Sequence, residues 1–206
     1  MLSIRKILQA LYYIQSKSSS EDSKYNIMYL LKLLYFSDRY HLRHFGFIAS
    51  EDKYCAMKKG PVALATFNIL KGNFPSSANS VEISLINESV PISEYDCQIN
   101  KQGEDELFES FKESLDFSIK TFGKFDQFKL SEISHIYPEW KKHEKRLETG
   151  PKKSIVMNPV DFFDDPDPNS INNFKKLSIK EDPFKEPDKK FLKLLRKDFK
   201  NLIKNS

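Results

Sequence analysis

The chain has 206 residues, of which 39% are hydrophobic and 30% are charged, a composition typical of a soluble globular protein. This length predicts one domain with at most an appendage, and a core that needs no disulfide or metal to be stable. The net charge of +4 does not indicate a nucleic-acid-binding core, because the segment from Lys185 to Lys204 holds eight basic and three acidic residues and the remainder is slightly acidic.

Targeting segments and cofactor motifs are not expected. The apolar residues near the N-terminus are periodic and precede no small-residue cleavage site, so we expect no signal peptide. No run approaches the ~18 apolar residues that a membrane span needs. Cys55 and Cys97 have neither CxxC spacing nor a matching histidine pattern, which favours small buried side chains in a reducing cytosol. The sequence therefore predicts a cytoplasmic protein without a cofactor.

Two helices are predicted at the start of the chain. Apolar residues between positions 4 and 12 recur at i, i+3, i+4 and i+7, and Ser3 is placed to cap this amphipathic helix. Asp22 or Ser23 is expected to cap the second helix. Its apolar residues between positions 28 and 36 cover nearly all faces, which predicts burial on every side and a central position in the domain.

A third helix and a small sheet follow. Pro61 suits the first turn of a helix and Gly72 suits its C-terminal end. The alternation of Val81–Leu85 predicts a half-buried strand. Val90–Ile99 is a weaker strand candidate in which a proline favours an edge position. A short strand at Tyr54–Met57 would complete an antiparallel sheet.

The second half of the chain predicts more helix and one irregular segment. Apolar residues from Leu107 to Phe122 recur at helical spacing, and Gly123 is expected to end that helix. Ser131 is expected to cap a shorter helix that Pro138 stops. The prolines of residues 158–188 indicate a wrapping loop or linker.

Asp188 is expected to cap a final helix whose apolar face is formed by Phe191, Leu192, Leu195, Phe199, Leu202 and Ile203. This helix could dock on the domain, lie in a groove of a partner, or contact a membrane or nucleic acid; Asp198 and the small basic face disfavour the last two ligands. We predict an α+β, predominantly α-helical fold. It comprises a compact helical domain with a small antiparallel sheet (1–150), a proline-rich loop (151–187) and a basic amphipathic helix (188–206).

The order of several short motifs resembles a known family. These motifs are Tyr35-Phe36-Ser37-Asp38, Gly46, Tyr54-Cys55-Ala56, Lys59-Gly60-Pro61-Val62 and Leu70-Lys71, and later Leu130-Ser131 to His135 followed by Trp140. Over residues 4–147 the chain resembles the Panacea, or SocA-like, antitoxin domain.

The resemblance implies a cytosolic, bacterial or phage-associated antitoxin that neutralises a co-encoded toxin by direct binding. One relative is an adaptor that delivers its toxin to a protease, so a protease is a second possible partner. Many members carry an N-terminal DNA-binding domain; the match here begins almost at Met1, so we do not expect nucleic acid to be a partner.

The resemblance also implies a partner-binding surface where three segments converge. Its candidate residues are Tyr35, Asp38, Arg39, Tyr40, His41, Tyr54, Lys59, Gly60, Pro61, His135 and Trp140. Aromatic and arginine residues are the expected anchors of such an interface.

Catalytic and metal-binding alternatives are weaker. His41 and His44 lie about one turn apart, but no HExxH pattern is present, which disfavours a metal site. Asp38, Arg39 and His41 could serve a hydrolase, although neighbouring residues on a helix point in different directions. Gly60-Pro61 is not followed by Lys-Ser/Thr, which disfavours phosphate binding. No catalytic, cofactor or metal residue is therefore assigned.

Overall fold

The computed structural model describes residues 3–18, 26–73, 80–89, 99–100, 106–185 and 188–205. It shows a predominantly helical α+β fold, as the sequence predicts. The helices are α1 (Ile4–Lys17), α2 (Ile27–Phe45), α3 (Leu64–Leu70), α4 (Ser80–Ser89), α5 (Glu109–Phe122), α6 (Gln127–Ser134), α7 (Pro138–Lys141), α8 (Glu144–Thr149), α9 (Ile171–Lys176) and α10 (Lys189–Asn205). The strands are β1 (Tyr54–Met57), β2 (Gly60–Ala63) and β3 (Ser154–Val156), and 3₁₀ helices span Pro159–Phe163 and Pro168–Ser170.

Helix α2 lies at the centre of the fold, as its apolar composition predicts. Side chains 30–36 are at most 3% exposed, and the helix contacts α1, α5, α6, α10 and β2. The predicted caps Asp22 and Ser23 are wrong. Asn26 caps α2 instead, because its side chain accepts a hydrogen bond from a backbone N–H of the first turn, directly before the apolar run.

Helices α1 and α5 pack against α2. Ser3 caps α1 as predicted, since its side chain accepts a hydrogen bond from a first-turn N–H. The predicted apolar stripe of α5 is largely buried, and Gly123 ends the helix. Helix α5 begins at Glu109 rather than at Leu107.

The three strands form an antiparallel sheet in the order β2-β1-β3. Strand β1 confirms the predicted strand at Tyr54–Met57. The prediction that Pro61 opens a helix is wrong: Pro61 lies opposite Ala56 in the β1–β2 hairpin, and α3 begins only at Leu64. Because β2 is an edge strand, the missing proline N–H breaks no ladder bond within the sheet. Gly72, at φ 71°, follows the end of α3 as predicted.

Val81–Leu85 is not a strand, because it belongs to α4. Five alternating residues are too few to distinguish the two periods, and here tertiary packing decides. The half-buried Ile83 and the buried Ile86 are three residues apart on a helix that contacts α1. The predicted strand at Val90–Ile99 lies outside the described residues except for Ile99.

Helix α6 begins before the predicted position. Asp126 is its cap, because one carboxylate oxygen accepts hydrogen bonds from two first-turn N–H groups at 2.8 and 2.9 Å. Ser131, the predicted cap, lies inside the helix and donates its hydroxyl hydrogen bond to the Lys59 carbonyl at 2.8 Å. Pro138 does not stop α6; it occupies the first turn of α7, where its missing N–H is harmless.

The proline-rich segment after Gly150 packs against the helices. Its buried aromatic side chains are Phe162, Phe163, Phe174 and Phe184. Two arginines of α2 hold it: Arg39 Nη2 donates to the Asp164 carbonyl at 2.8 Å, and Arg43 Nη1 donates to the Phe163 carbonyl at 2.7 Å. The segment therefore contributes to the core, while the predicted boundaries 1–150, 151–187 and 188–206 stay a prediction.

Helix α10 docks on the domain against α2 and the first 3₁₀ helix. Asp188 caps it as predicted, since its carboxylate accepts two first-turn N–H hydrogen bonds at 2.9 and 3.0 Å. Leu192 and Phe199 are buried, whereas Leu194 and Leu202 are more than half exposed. The inner face of α10 thus packs on the core and its outer face stays open.

Candidate partner-binding surface

Most of the predicted contact residues are interior. Those with at most 3% exposure are Tyr35, Asp38, Arg39, His41, Tyr54 and Trp140. Gly60 and Pro61 are also buried, Tyr40 and His135 are half-buried, and Lys59 is exposed. The expectation that these residues form one exposed surface is therefore wrong, because most of their side chains pack inside the fold. Contact between any of them and a partner stays a prediction.

Arg39 forms a buried ion pair with Glu139, a residue of α7 that sequence reasoning missed. Nη1 of Arg39 and the hydroxyl of Tyr35 both contact Glu139 Oε1 at 2.5 Å. The guanidinium also stacks over the Tyr137 ring, 4.3 Å from its centroid. Burial, and then the neighbouring carboxylate, raise the pKa of Tyr35 well above its usual value. This network joins α2 to α7 and fixes the positions of Tyr35 and Arg39.

Asp38 joins α2 to the strand that follows it. Its carboxylate accepts hydrogen bonds from Ser50 N at 3.0 Å, from the Ser50 hydroxyl, and from the Tyr54 hydroxyl at 2.7 Å. Burial raises the pKa of Asp38 to about 6 although these donors oppose the shift. Three donors around one buried carboxylate indicate a structural role in this arrangement.

His41 and His44 contact different groups. The two ring nitrogens of His41 contact the Phe47 carbonyl at 2.8 Å and the Ser110 hydroxyl at 3.0 Å. Tyr40 stacks on His44 with ring centroids 3.8 Å apart. Because the two histidines contact different groups, they do not form a ligand pair. Among the described residues, no three His, Cys, Asp or Glu side chains are grouped as metal ligands would be.

His135 and Trp140 meet as a stacked pair beside the hairpin. Their ring centroids are 3.6 Å apart with an interplanar angle of 7°, and Trp140 Nε1 donates to the Met57 carbonyl at 2.9 Å. Burial lowers the pKa of His135 to about 4. The imidazole is therefore neutral at physiological pH and serves as a packing group.

Gly60 allows the β1–β2 hairpin to sit directly on α2 and α6. Lys32 Nζ donates to the Pro61 carbonyl at 2.8 Å beneath it. Gly60 has φ 102°, and an added Cβ would overlap Ser134 Oγ and lie 2.5 Å from Lys32 Nζ. Both the backbone conformation and the space therefore require glycine.

The variant Gly60→Ala is expected to lower the free energy of unfolding by about 2–3 kcal/mol, since it adds overlap to the strain of a positive φ. Urea denaturation measures this. Gly46→Ala is the matched control: Gly46 has φ 84°, but an added Cβ would meet only a side-chain carbon of Leu195 at 3.2 Å. If both variants lost the same free energy of unfolding, the close contact beneath Gly60 would add nothing to the cost of the substitution.

An open groove of about 900 Å³ lies between the N-terminal half of α2, the β1–β2 turn, α3 and the start of α6; we call it the hairpin groove. Its apolar lining residues are Ile27, Met28, Leu31, Met57, Val62, Phe67 and Phe128. Its basic lining residues are Lys32, Lys58, Lys59, Lys71 and Lys153. Of these basic residues, the sequence placed only Lys59 in the candidate surface, because the lining comes from segments that are far apart in the chain.

Lys32 is expected to make the free energy of unfolding depend on pH above about pH 7. Its side chain is 1% exposed, and burial lowers its pKa from 10.5 to about 7. Between these two values the unfolded chain holds a proton that the folded chain has released, so the free energy of unfolding should rise with pH, by at most about 1.4 kcal/mol per pH unit. Urea denaturation at pH 7, 8 and 9 should show a flatter dependence for Lys32→Met. Equal slopes in the variant and the wild-type chain would contradict this assignment.

The matched family confirms the resemblance drawn from the sequence. The family model described as "Antitoxin SocA-like, Panacea domain" matches residues 30–141, more than half of the chain and the stretch from α2 to α7. The fold and this match define an antitoxin-like domain. The chain belongs to the SocA-like Panacea family. Searches of curated proteins and of solved structures found no match. Within the described ranges, no helix has the length and apolar character to cross a membrane.

Proposed function

We propose that this protein is the antitoxin of a toxin–antitoxin pair and that it neutralises a co-encoded protein toxin in the cytoplasm by direct binding. The observation that carries the proposal is the family match over residues 30–141. Neutralisation by occlusion requires an interface of standard size, ~800 Å² on each partner. The hairpin groove is an exposed surface that could contribute to it.

The polar side chains of α2 support binding over hydrolysis. Asp38 is engaged by Ser50 and Tyr54, so its carboxylate does not orient the imidazole of His41. His41 contacts the Ser110 hydroxyl, but burial lowers its pKa to about 4. A general base works best with a pKa near the operating pH, so this histidine is a poor base for a serine nucleophile at neutral pH.

Co-expression tests the proposal. The product of the adjacent gene is induced alone and together with this chain, growth is followed, and the two proteins are co-purified. We expect growth to be restored and a stable complex to be recovered. A toxin that stays lethal beside this chain would overturn the proposal. The half-life of the toxin separates two modes of neutralisation: occlusion leaves it unchanged, whereas a protease adaptor shortens it.

A further inference from the structure

The hairpin groove combines an apolar lining with an exposed aromatic ring. Phe128, on the first turn of α6, is 62% exposed and lines the same groove as Phe67 and Met28, and contiguous exposed apolar surface marks interaction sites. Phe67 and Met28 beside it are half-buried. Aromatic and methionine side chains are enriched at protein–protein interfaces.

The basic residues of the groove have no carboxylates beside them in the lining. Neither Asp nor Glu is among the described residues that line the groove. In the described part of the chain, Lys58, Lys59 and Lys153 take part in no ion pair. Other surface lysines, such as Lys141 and Lys142, do pair with acidic residues. The charges of Lys58, Lys59 and Lys153 are therefore available to an acidic partner.

The location of the groove favours a protein segment over a small anion. Lys58 and Lys59 form the turn of the hairpin, and Lys153 precedes β3, so these exposed charges stand at the margin of the apolar lining. A volume of about 900 Å³ accommodates several side chains. An apolar centre with a polar margin is the usual anatomy of a protein interface, and an amphipathic helix laid in a groove is a common recognition mode.

We propose that the hairpin groove binds an amphipathic segment of the toxin, with the apolar side chains of that segment against Phe128, Phe67 and Met28 and its flanking Asp or Glu residues against Lys58, Lys59 and Lys153. This inference rests on the proposed function. It goes further by assigning the surface and the chemistry of the bound segment.

Affinity measurements on the purified toxin from the adjacent gene test the inference. Isothermal titration calorimetry compares the wild-type chain with Phe128→Ala and with the double variant Lys58→Glu/Lys59→Glu. Each is expected to raise Kd by at least about tenfold, or about 1.4 kcal/mol, because both truncated interface anchors and reversed complementary charges weaken binding. The Kd of the wild-type chain should also rise between 0.05 and 0.5 M salt, because salt screens the attraction between opposite charges.

Matched controls lie on the outer face of α10. Leu202→Ala removes an apolar side chain that is 63% exposed, and Lys197→Glu/Lys200→Glu reverses two exposed charges. These variants should change Kd by less than about threefold. Circular dichroism confirms that each variant is folded. Unchanged affinity of the folded groove variants would overturn the inference while the wild-type chain still neutralises the toxin; failure of the wild-type chain would overturn the proposed function as well.

A nucleic-acid ligand gives a different result. A labelled 20-base-pair DNA duplex and a single-stranded RNA of equal length are titrated at physiological salt. We expect neither to compete with the toxin for the wild-type chain. An oligonucleotide that binds the wild-type chain but not Lys58→Glu/Lys59→Glu, together with unchanged toxin affinity in that variant, would assign the groove to nucleic acid and overturn the inference.

Discussion

Replacing Glu139 with alanine is expected to lower the free energy of unfolding by about 3–5 kcal/mol, because removing one partner of a buried ion pair leaves the other charge uncompensated. Arg39 and Glu139 are both fully buried. After the substitution the guanidinium keeps the Asp164 carbonyl but loses its carboxylate, and the Tyr35 hydroxyl loses its acceptor. A loss of this size is a large fraction of the stability of an ordinary domain.

Urea denaturation checks this expectation against two further variants. Glu144→Ala removes the ion pair with Lys141, whose side chain is 57% exposed, and should cost less than about 1 kcal/mol. The double variant Arg39→Met/Glu139→Leu should recover part of the loss, since it removes both buried charges. A Glu139→Ala variant no less stable than Glu144→Ala would show that the pair is unimportant.

Replacing Trp140 with alanine is expected to lower the free energy of unfolding by about 3–5 kcal/mol, the usual cost of truncating a buried tryptophan. Trp140 is 3% exposed, stacks on His135 and donates a hydrogen bond to the Met57 carbonyl. Trp140→Phe keeps a ring in this position but loses the hydrogen bond that Nε1 donates. It should therefore lower the free energy of unfolding by less, about 1–3 kcal/mol.

The two Trp140 variants also separate a structural role from direct contact. If Trp140 only supports the hairpin, the folded fraction of Trp140→Phe should bind the toxin with a Kd within about threefold of the wild-type value. Calorimetry measures Kd and circular dichroism measures folding. A much higher Kd for a fully folded Trp140→Phe variant would indicate that Trp140 contacts the toxin directly.

The sequence predicted the elements whose signals are local and strong. Three such signals each lie within a few residues: the all-round apolar character of α2, the serine before α1 and the aspartate before α10. The family could be inferred because the order of motifs is itself a sequence property. Pro61 and Val81–Leu85 were misassigned because strand pairing and packing against α1 decide their structure.

The candidate site was harder to predict than the fold. The family resemblance implies an exposed surface at the motif residues, yet Asp38 and Arg39 bind partners 12 and 100 residues away along the chain inside the fold. Single-chain periodicity carries no information about such distant partners. The hairpin groove could not be predicted for a related reason. Phe128 and Lys58 line one groove only because the fold brings the hairpin and α6 together.

The two arginines of α2 have a practical consequence for protein engineering. Arg43 reaches beyond the matched region to the carbonyls of Phe163 and Phe184, and Arg39 reaches to that of Asp164. A fragment excised at residues 30–141 would leave both guanidinium groups without these acceptors, and we expect it to be insoluble or unfolded. Grafting this domain onto another protein should therefore carry the chain through at least Phe184.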